Sequence, residues 1–268
     1  MELFALTDMG LRRSNNEDAV LIDEALGYLV LADGMGGYST GEIASALTIE
    51  ALRTGLAQSL PNLRGLPPDQ QLAAAEEDLT FAISRANHAV FNQSQVEGET
   101  MGSTVVAAVI LERQMVVAHV GDSRMYRFRS GQLSAITKDH SWLQEQIDLG
   151  SITPEDASQS RYKNLVTRGI GIEETVDVEV QRIQIEDADV FLVCSDGLSD
   201  MATHDEMVAL LHMHINEPLE QIAQGLINLA NEKGGRDNVS VILARGAPEA
   251  TGSSGKDWLR AIGQMLRK

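Results

Sequence analysis

The 268-residue sequence predicts an α+β fold built as a layered sandwich. Strand-like apolar runs are dispersed along the chain, and they do not alternate with helices in the regular order that βαβ units require. No segment repeats with a fixed period. The length is ample for a sizeable core, and together these observations favour strands and helices that form separate layers.

The first half of the chain predicts strands and two long helices. Ser39-Thr40-Gly41-Glu42 matches a capping box, and the apolar residues after it keep helical spacing as far as Leu56. Residues 61–68 are rich in Pro and Gly and predict a loop, after which Asp69 is expected to cap the second helix. The predicted strands of this half are residues 2–8, 19–23, 27–32, 103–111, 115–120 and 124–129.

The second half predicts a flap and then a return to the core. Residues 141–175 are polar and irregular, which fits a short helix plus an exposed flap. Thr203 is expected to cap one helix, and Pro218 suits the first turn of the next. The remaining predicted strands lie near residues 176–185, 189–195 and 239–244.

Composition excludes several classes of protein. A net charge of −18 argues against nucleic-acid binding, which needs a basic face. The single cysteine, Cys194, leaves no internal disulfide framework and fits a reducing cytoplasm. The first eight residues lack the features of a signal peptide, and the longest uncharged apolar stretch, residues 102–111, is too short to span a bilayer. We therefore predict a soluble cytoplasmic protein.

Four aspartates stand where apolar runs meet glycine-rich turns. Asp33 follows residues 29–32, Asp122 follows 116–120, and Asp196 follows 190–195, with Asp200 four residues later. The fourth, Asp237, precedes the run 239–243. Carboxylates brought together at strand ends repel one another unless cations lie between them. Hard oxygen ligands suit Mg²⁺ or Mn²⁺, so the pattern predicts a carboxylate-walled metal site.

An arginine pair adds a second chemical element. Arg12 and Arg13 shortly precede Glu17 and Asp18, directly ahead of a predicted strand. Arginine is suited to hold a phosphate because its planar fork donates two parallel hydrogen bonds. A phosphate-binding arginine beside a two-metal carboxylate cluster predicts metal-assisted hydrolysis of a phosphoester, in which a water that bridges the metals attacks phosphorus.

The ordered motifs resemble those of the bacterial metal-dependent serine/threonine protein phosphatases of type 2C, the PPM family. The resemblance extends from about residue 3 to 244, so residues 1–245 are expected to form the catalytic domain. It implies a four-layer α-β-β-α sandwich of two antiparallel sheets, with the metal site at one end. The motifs are Arg13-Ser14-Asn15-Asn16-Glu17-Asp18, Ala32-Asp33-Gly34-Met35-Gly36-Gly37, Gly102-Ser103-Thr104, Gly121-Asp122-Ser123-Arg124, Thr137-Lys138-Asp139-His140-Ser141, Ser195-Asp196-Gly197-Leu198-Ser199-Asp200 and Gly235-Arg236-Asp237-Asn238.

The same resemblance implies roles for individual residues. Asp33, Asp196 and Asp237 are expected to ligate the first Mn²⁺ or Mg²⁺. Asp33 bridges to the second ion, which also takes the Gly34 carbonyl. A third, weaker ion is expected on Asp122 and Asp200 with Asp196. Arg13 carries over as the phosphate contact. The metal ligands are expected to be supported indirectly, partly through bound waters, by Glu17, Asp18 and Asn238.

The resemblance also implies the reaction and the partners. The expected activity is hydrolysis of phosphoserine and phosphothreonine in proteins, by direct attack of a metal-bridging water or hydroxide. The expected protein is a monomeric signalling phosphatase that opposes a serine/threonine kinase.

The chain departs from the family pattern in two places. Some relatives carry a histidine, proposed as the acid for the leaving alkoxide, where this chain has Met35. Tyr38, Ser39 or a metal-bound water are the alternatives. The His-Pro pair of many bacterial relatives is missing near Ser160-Arg161. The substrate contacts of the flap in those relatives therefore cannot be assigned to this chain.

Three rival functions remain to be separated. Asp33-Gly34-Met35-Gly36-Gly37 superficially resembles the glycine box of a histidine-kinase-type ATP-binding module, but Met35 stands where that box needs glycine. A catalytically inactive phosphate sensor of the same fold is expected to have lost a metal ligand, and all are present here. A small-molecule phosphatase is the third rival.

The C-terminal residues 246–268 are predicted to form a flexible linker and a short amphipathic helix. The base rate for chain ends favours a frayed or back-packed helix. The alternative hypothesis is a basic helix that docks on a partner or a membrane surface.

Overall fold

The computed structural model describes residues 1–37, 40–153, 156, 160, 162 and 165–246, and it places two antiparallel sheets face to face between layers of helices. This confirms the predicted four-layer sandwich. The strands are β1 (Glu2–Asp8), β2 (Asp18–Asp23), β3 (Tyr28–Gly36), β4 (Met101–Ser103), β5 (Val105–Leu111), β6 (Gln114–Val120), β7 (Arg124–Arg129), β8 (Gln132–Ala135), β9 (Glu179–Gln184), β10 (Val190–Cys194) and β11 (Val239–Arg245).

The two sheets divide the strands unequally. The order in the five-stranded sheet is β1-β11-β10-β7-β8. The six-stranded sheet runs β2-β3-β5-β6-β9, and β4 pairs with the end of β3. The register places Asp18 opposite Asp33 across β2 and β3, so the sheet itself brings two of the predicted site carboxylates together.

Helices cover the outer face of each sheet. The helices are α1 (Thr40–Ser59), α2 (Pro68–Glu97), α3 (Trp142–Asp148), the single turn α4 (Asp196–Ser199), α5 (His204–His214) and α6 (Leu219–Glu232). The predicted cap at Thr203 is confirmed, because Thr203 and Glu206 form a reciprocal capping box. Pro218 directly precedes α6 and presets its first turn.

Alternating side chains on each strand fill three apolar layers. On β10, Phe191 and Val193 point between the sheets, whereas Val190 and Leu192 pack against α5 and α6. On β3, Leu29 and Leu31 face the central layer, and Val30 packs with the α1–α2 layer. This period of two buries both faces of the central strands and fixes their register.

Four local predictions are corrected by the structure. Asp33 lies inside β3 and not in a turn after it, because residues 34–36 continue the strand by pairing with β4. The predicted strand 103–111 is broken at Thr104. Residues 60–65 form a 3₁₀ helix where a loop was predicted. The second helix begins after Pro67, so Asp69 lies in its first turn and does not cap it.

Several predictions fall outside the described residues: Ser39 of the first capping box, much of the flap between residues 154 and 164, and the C-terminal helix. Among the described helices, none is long and apolar enough to cross a membrane.

Candidate metal centre

One end of the sandwich collects the predicted site residues around a cavity of about 240 Å³. The five carboxylates that line it come from five separate chain segments: the loop before β2, β3, the turn after β6, the start of α4 and the turn before β11. The cavity is lined by Arg13, Glu17, Asp33, Gly34, Asp122, Asp196, Asp237 and Asn238, and also by Met35, Gly36, Thr104 and Val166. The predicted residue Asp18 lies beside this lining, buried and opposite Asp33.

Burial and mutual repulsion raise the pKa of several of these carboxyls. Burial is the largest cause of the shift to about 6 for Asp18 and for Asp122. The pKa of Asp33 rises well above its usual range because the group is buried and faces Asp18, Asp196 and Asp122. The pKa of Asp196 rises for the same reasons. Such a cluster favours cations, which remove the repulsion, and its oxygen donors fit Mg²⁺ or Mn²⁺.

Two serines hold Asp18 in place. Ser195 donates a hydrogen bond from its hydroxyl to Oδ2 of Asp18 at 2.8 Å, and the Ser240 amide donates to the Ser195 hydroxyl oxygen at 3.0 Å. Ser240 in turn bonds the Thr7 hydroxyl at 2.7 Å. This chain of hydrogen bonds, buried at Asp18, Ser195 and Ser240, links β2 to β10, β11 and β1, so Asp18 is fixed from the opposite sheet.

Arg13 also lines the carboxylate cavity. Its Nη2 donates to Oδ2 of Asp237 at 2.6 Å, which anchors the guanidinium beside the carboxylates. About half of the Arg13 side chain stays exposed, at 47%. The other N–H groups of the guanidinium are therefore positioned to meet an anion at the cavity mouth.

Asn238 connects the N-terminal segment to the metal centre. Its Oδ1 accepts from the Glu17 amide at 2.8 Å, and its Nδ2 donates to the carbonyls of Met9 and Asn15 at 2.9 and 2.8 Å. Asn15 donates to Oε1 of Glu17 at 3.0 Å. The Asn238 amide also donates to Oδ1 of Asp237 at 2.8 Å, so this network contacts both Glu17 and Asp237 of the cavity lining.

Gly34 is required by close approach of the backbone. Its amide donates to the Glu17 carbonyl at 3.1 Å, and a Cβ at this position would collide with the Gly41 and Glu17 carbonyl oxygens. This packing lets β3 run directly beneath α1, so that the Gly34 backbone itself lines the cavity.

Two hydroxyl residues contribute to the site although the sequence did not assign them a role. Thr104 Oγ1 accepts from the Asp33 amide at 3.1 Å and bonds the Ser123 hydroxyl at 2.7 Å. The Thr104 amide also donates to the Asp33 carbonyl at 2.8 Å. The break between β4 and β5 thus fixes the backbone of Asp33, and the motif Gly102-Ser103-Thr104 was the available signal.

Asp200 lies outside the carboxylate cavity. It lines a neighbouring cleft of about 470 Å³, together with Arg124 and Asp139. Its charge still acts on the cluster, because it contributes to the raised pKa of Asp122 and Asp196. Asp122 lines the carboxylate cavity and Asp200 lines the cleft, and the two carboxylates interact across the boundary between them.

His119 and His140 form a compact group with Glu179 that also offers atoms suited to a metal. Their rings stack, with centroids 4.6 Å apart. His119 Nε2 donates to the Lys138 carbonyl at 2.8 Å, and His140 Nδ1 accepts from the Gly121 amide at 3.1 Å. The Arg168 guanidinium lies 3.3 Å from His140 Nε2. The Arg168 guanidinium therefore already places a positive charge beside this group.

Met35 occupies the position where some relatives carry the histidine proposed to protonate the leaving alkoxide. Met35 and Val166 form an apolar part of the cavity wall, and neither side chain carries a transferable proton. The alternatives Tyr38 and Ser39 lie outside the described residues.

Comparison with known proteins places this geometry in a family. The Protein phosphatase 2C profile matches residues 12–242. A putative protein phosphatase 2C-type of Streptococcus pyogenes is 32% identical over 253 residues, which are 93% of this chain and 99% of that protein. Serine/threonine protein phosphatase PstP of Mycobacterium tuberculosis is 37% identical over 90% of this chain, which spans 44% of that protein's length.

A solved structure extends the comparison to three dimensions. The catalytic domain of serine/threonine protein phosphatase PstP in complex with two manganese ions superposes with a TM-score of 0.77 at 36% identity. The match covers 90% of this chain and 96% of that domain.

Proposed function

This chain belongs to the protein phosphatase 2C family, and we propose that it hydrolyses phosphoserine and phosphothreonine in proteins with divalent cations held by its own carboxylates. The observation that carries the proposal is the convergence of five carboxylates from five segments with one partly exposed arginine beside them. The mycobacterial relative with two manganese ions supports Mn²⁺ as a cofactor, and the oxygen donors suit Mg²⁺ equally.

The residues divide into a metal-binding set and its supports. We assign Asp33, Asp196, Asp237 and the Gly34 carbonyl to two central ions, and Asp122 and Asp200 with Asp196 to a weaker third. When bound, the ions supply Lewis-acid stabilisation of phosphoryl charge and lower the pKa of a water nucleophile. Glu17, Asp18 and Asn238 orient this set through the hydrogen bonds described above.

The remaining cavity residues act on the substrate. Arg13 binds the phosphoryl oxygens with the N–H groups that Asp237 leaves available. Met35 and Val166 exclude water from one wall but transfer no proton, so these two residues do not protonate the leaving alkoxide. We further propose residues 1–245 as the catalytic domain, a monomeric state, a cytoplasmic location in keeping with the single buried Cys194, and a serine/threonine kinase as the opposing enzyme.

Substrate class is tested by activity on a panel of phosphopeptides and nucleotides, with Mn²⁺ and with EDTA. We expect Mn²⁺-dependent release of phosphate from phosphoserine and phosphothreonine peptides. A preference for nucleotides would favour a small-molecule phosphatase, and binding of phosphopeptide without turnover would favour the phosphate sensor.

The phosphate contact is tested by substitution of Arg13. Arg13→Ala is expected to raise KM for a phosphopeptide by about 10- to 100-fold, since a hydrogen-bonded charged partner is lost. Arg13→Lys should recover only part of this, because an ammonium group cannot form the bidentate pair. Mn²⁺ affinity, measured by calorimetry, should remain unchanged, and unaltered kinetics in the alanine variant would return Arg13 to a surface role.

A further inference from the structure

A cleft beside the metal centre is larger than the carboxylate cavity, and the proposed chemistry uses only Asp200 of its lining. Its volume of about 470 Å³ compares with about 240 Å³ for the carboxylate cavity. Ligand-binding pockets typically enclose about 300–1,000 Å³. The carboxylate cavity is small and acidic, so it suits a phosphoryl group and cations, and the rest of a polypeptide substrate must contact other surfaces.

The cleft adjoins the metal centre. Arg124 at its floor follows Asp122 by two residues, and Asp200 in its wall follows Asp196 by four. The carboxylates of Asp139 and Asp200, both in the cleft lining, act electrostatically on Asp122 in the other cavity. A polypeptide whose phosphate lies at the carboxylates can therefore extend to this cleft.

The floor of the cleft is electrically balanced and offers a hydrogen-bond donor. Arg124 forms two bonds to Asp139, at 2.8 and 2.6 Å, and donates to the Tyr126 hydroxyl oxygen at 3.3 Å. Tyr126 is only 6% exposed, and no residue in the described part of the chain accepts its O–H. Its pKa of about 12, raised mainly by burial, keeps that proton in place. A peptide carbonyl that enters the cleft can accept it.

Adaptable apolar side chains form part of the walls, between polar residues such as Gln144, Ser199 and His204. Leu143 and Ile147 come from α3, Met207 from α5, and Met201 from the segment between α4 and α5. Thioether side chains are unbranched and polarizable, so they adjust to apolar groups of different shape. Walls of this kind around a hydrogen-bond donor match an apolar side chain attached to a peptide backbone.

We propose that this cleft is a substrate subsite that receives an apolar side chain close in sequence to the phosphorylated residue, with the neighbouring peptide carbonyl bonded to Tyr126. The subsite rests on the proposed phosphatase function and adds to it a preference among protein substrates. The phosphoryl group is held at the carboxylates and Arg13, and the apolar side chain enters between α3 and α5.

Filling the cleft tests the proposal. Ile147→Trp and Gln144→Trp place bulk in the α3 wall, and Leu149→Trp is the matched control because Leu149 is 74% exposed and is not part of the lining. The substrates are phosphopeptides with leucine placed in turn at each flanking position, the same peptides with glycine, and p-nitrophenyl phosphate. Thermal unfolding of each variant establishes that it is folded.

We expect one leucine position to raise kcat/KM by about 10- to 100-fold over glycine, the magnitude for burying one such side chain. Ile147→Trp and Gln144→Trp should remove that gain and leave turnover of p-nitrophenyl phosphate unchanged, whereas Leu149→Trp should keep the gain. Tyr126→Phe should reduce kcat/KM for the leucine peptide about 2- to 10-fold.

Two results would overturn the subsite and leave the phosphatase function standing. One is equal kcat/KM for leucine and glycine peptides at every position. The other is a leucine preference that survives both tryptophan variants, which would place the apolar contact elsewhere. If instead the wild-type protein releases no phosphate from any phosphopeptide, the proposed function itself fails.

Discussion

Two charged clusters lie at the same end of the sandwich and differ in how their buried charges are compensated. The first, which we call the carboxylate centre, consists of Asp33, Asp122, Asp196 and Asp237 in the cavity wall with Asp18 buried beside it, and Arg13 bonds Asp237 at the edge. Four of these five carboxyls have a raised pKa, and burial is the largest cause in each case.

The second, which we call the paired cluster, consists of Arg124, Asp139, His119, His140 and Glu179. Arg124 and Asp139 compensate each other at 2.6 Å. The pKa of His140 falls to about 4, mainly through burial and then through His119 and Arg168, so the ring is neutral at pH 7. The paired cluster is balanced by protein groups alone, whereas the carboxylate centre needs external cations. The imbalance therefore marks the carboxylate centre as the functional one.

The largest expected effect comes from removing charge at the heart of the carboxylate centre. Asp33 lies among all the other carboxylates, and we propose that it bridges the two central ions. Asp33→Asn should lower kcat by at least about 10³-fold, because both ions lose a ligand and the phosphoryl charge loses its stabilisation. Steady-state kinetics on a phosphopeptide and calorimetric titration with Mn²⁺ should show both losses together.

Asp187→Asn is the matched control for Asp33→Asn, since Asp187 is a surface carboxylate paired with Arg113 at 3.0 Å. It should leave kinetics and Mn²⁺ affinity unchanged. Retention of tight Mn²⁺ binding in Asp33→Asn would remove Asp33 from the ligand set.

A substitution at Asp122, which lies between the two clusters, should give the next largest effect. Asp122 lines the carboxylate cavity, yet it also feels Asp139 and Asp200 from the neighbouring cleft. Its proposed ion has fewer protein ligands and binds more weakly. Asp122→Ala should therefore preserve tight Mn²⁺ binding at the central pair and reduce turnover by about 10²–10³-fold. Full activity in this variant, or loss of the tight sites, would contradict the assignment of a third ion.

The sequence was sufficient to predict that these carboxylates come together, because they stand beside apolar runs and glycine-rich turns within ordered motifs. It also predicted the layered fold, since the dispersed strand-like apolar runs and the cap at Thr203 are local signals. The position of Asp33 inside β3 was not predicted, because the pairing of residues 34–36 with β4 depends on a distant segment.

The support of the centre was less predictable than its members. Ser195 bonds Asp18 from the opposite sheet, and Thr104, the residue between β4 and β5, bonds the Asp33 backbone. The two residues of each pair are more than 70 positions apart in the sequence. Asp200 was grouped with the other aspartates by its motif, but its side chain borders the neighbouring cleft. Such relations follow from how the strands are ordered in the sheets, which no local pattern encodes.

The smallest effects are on stability, and they should have opposite signs in the two clusters. Because the pKa of Asp18 in the folded protein is about 6, above its usual 3.8, this carboxyl favours folding fully below about pH 4 and loses that contribution as pH rises through 6. In EDTA-treated protein at pH 7, Asp18→Asn should therefore raise the free energy of unfolding by up to about 3 kcal/mol, and by little at pH 4. Urea denaturation across this range measures the difference, and a gain that does not depend on pH would contradict the repulsion argument.

Asp139→Asn is the counterpart in the paired cluster. It leaves the Arg124 guanidinium, whose side chain is 35% exposed, without its carboxylate. The free energy of unfolding at pH 7 should fall by about 1–3 kcal/mol, with EDTA or with Mn²⁺, because a charged hydrogen-bonded pair is lost and no cation can replace it. Mn²⁺ should narrow the stability gap between wild type and Asp18→Asn but not the gap between wild type and Asp139→Asn. Equal rescue of both would mean that the two clusters share one set of cations, and the distinction between them would fail.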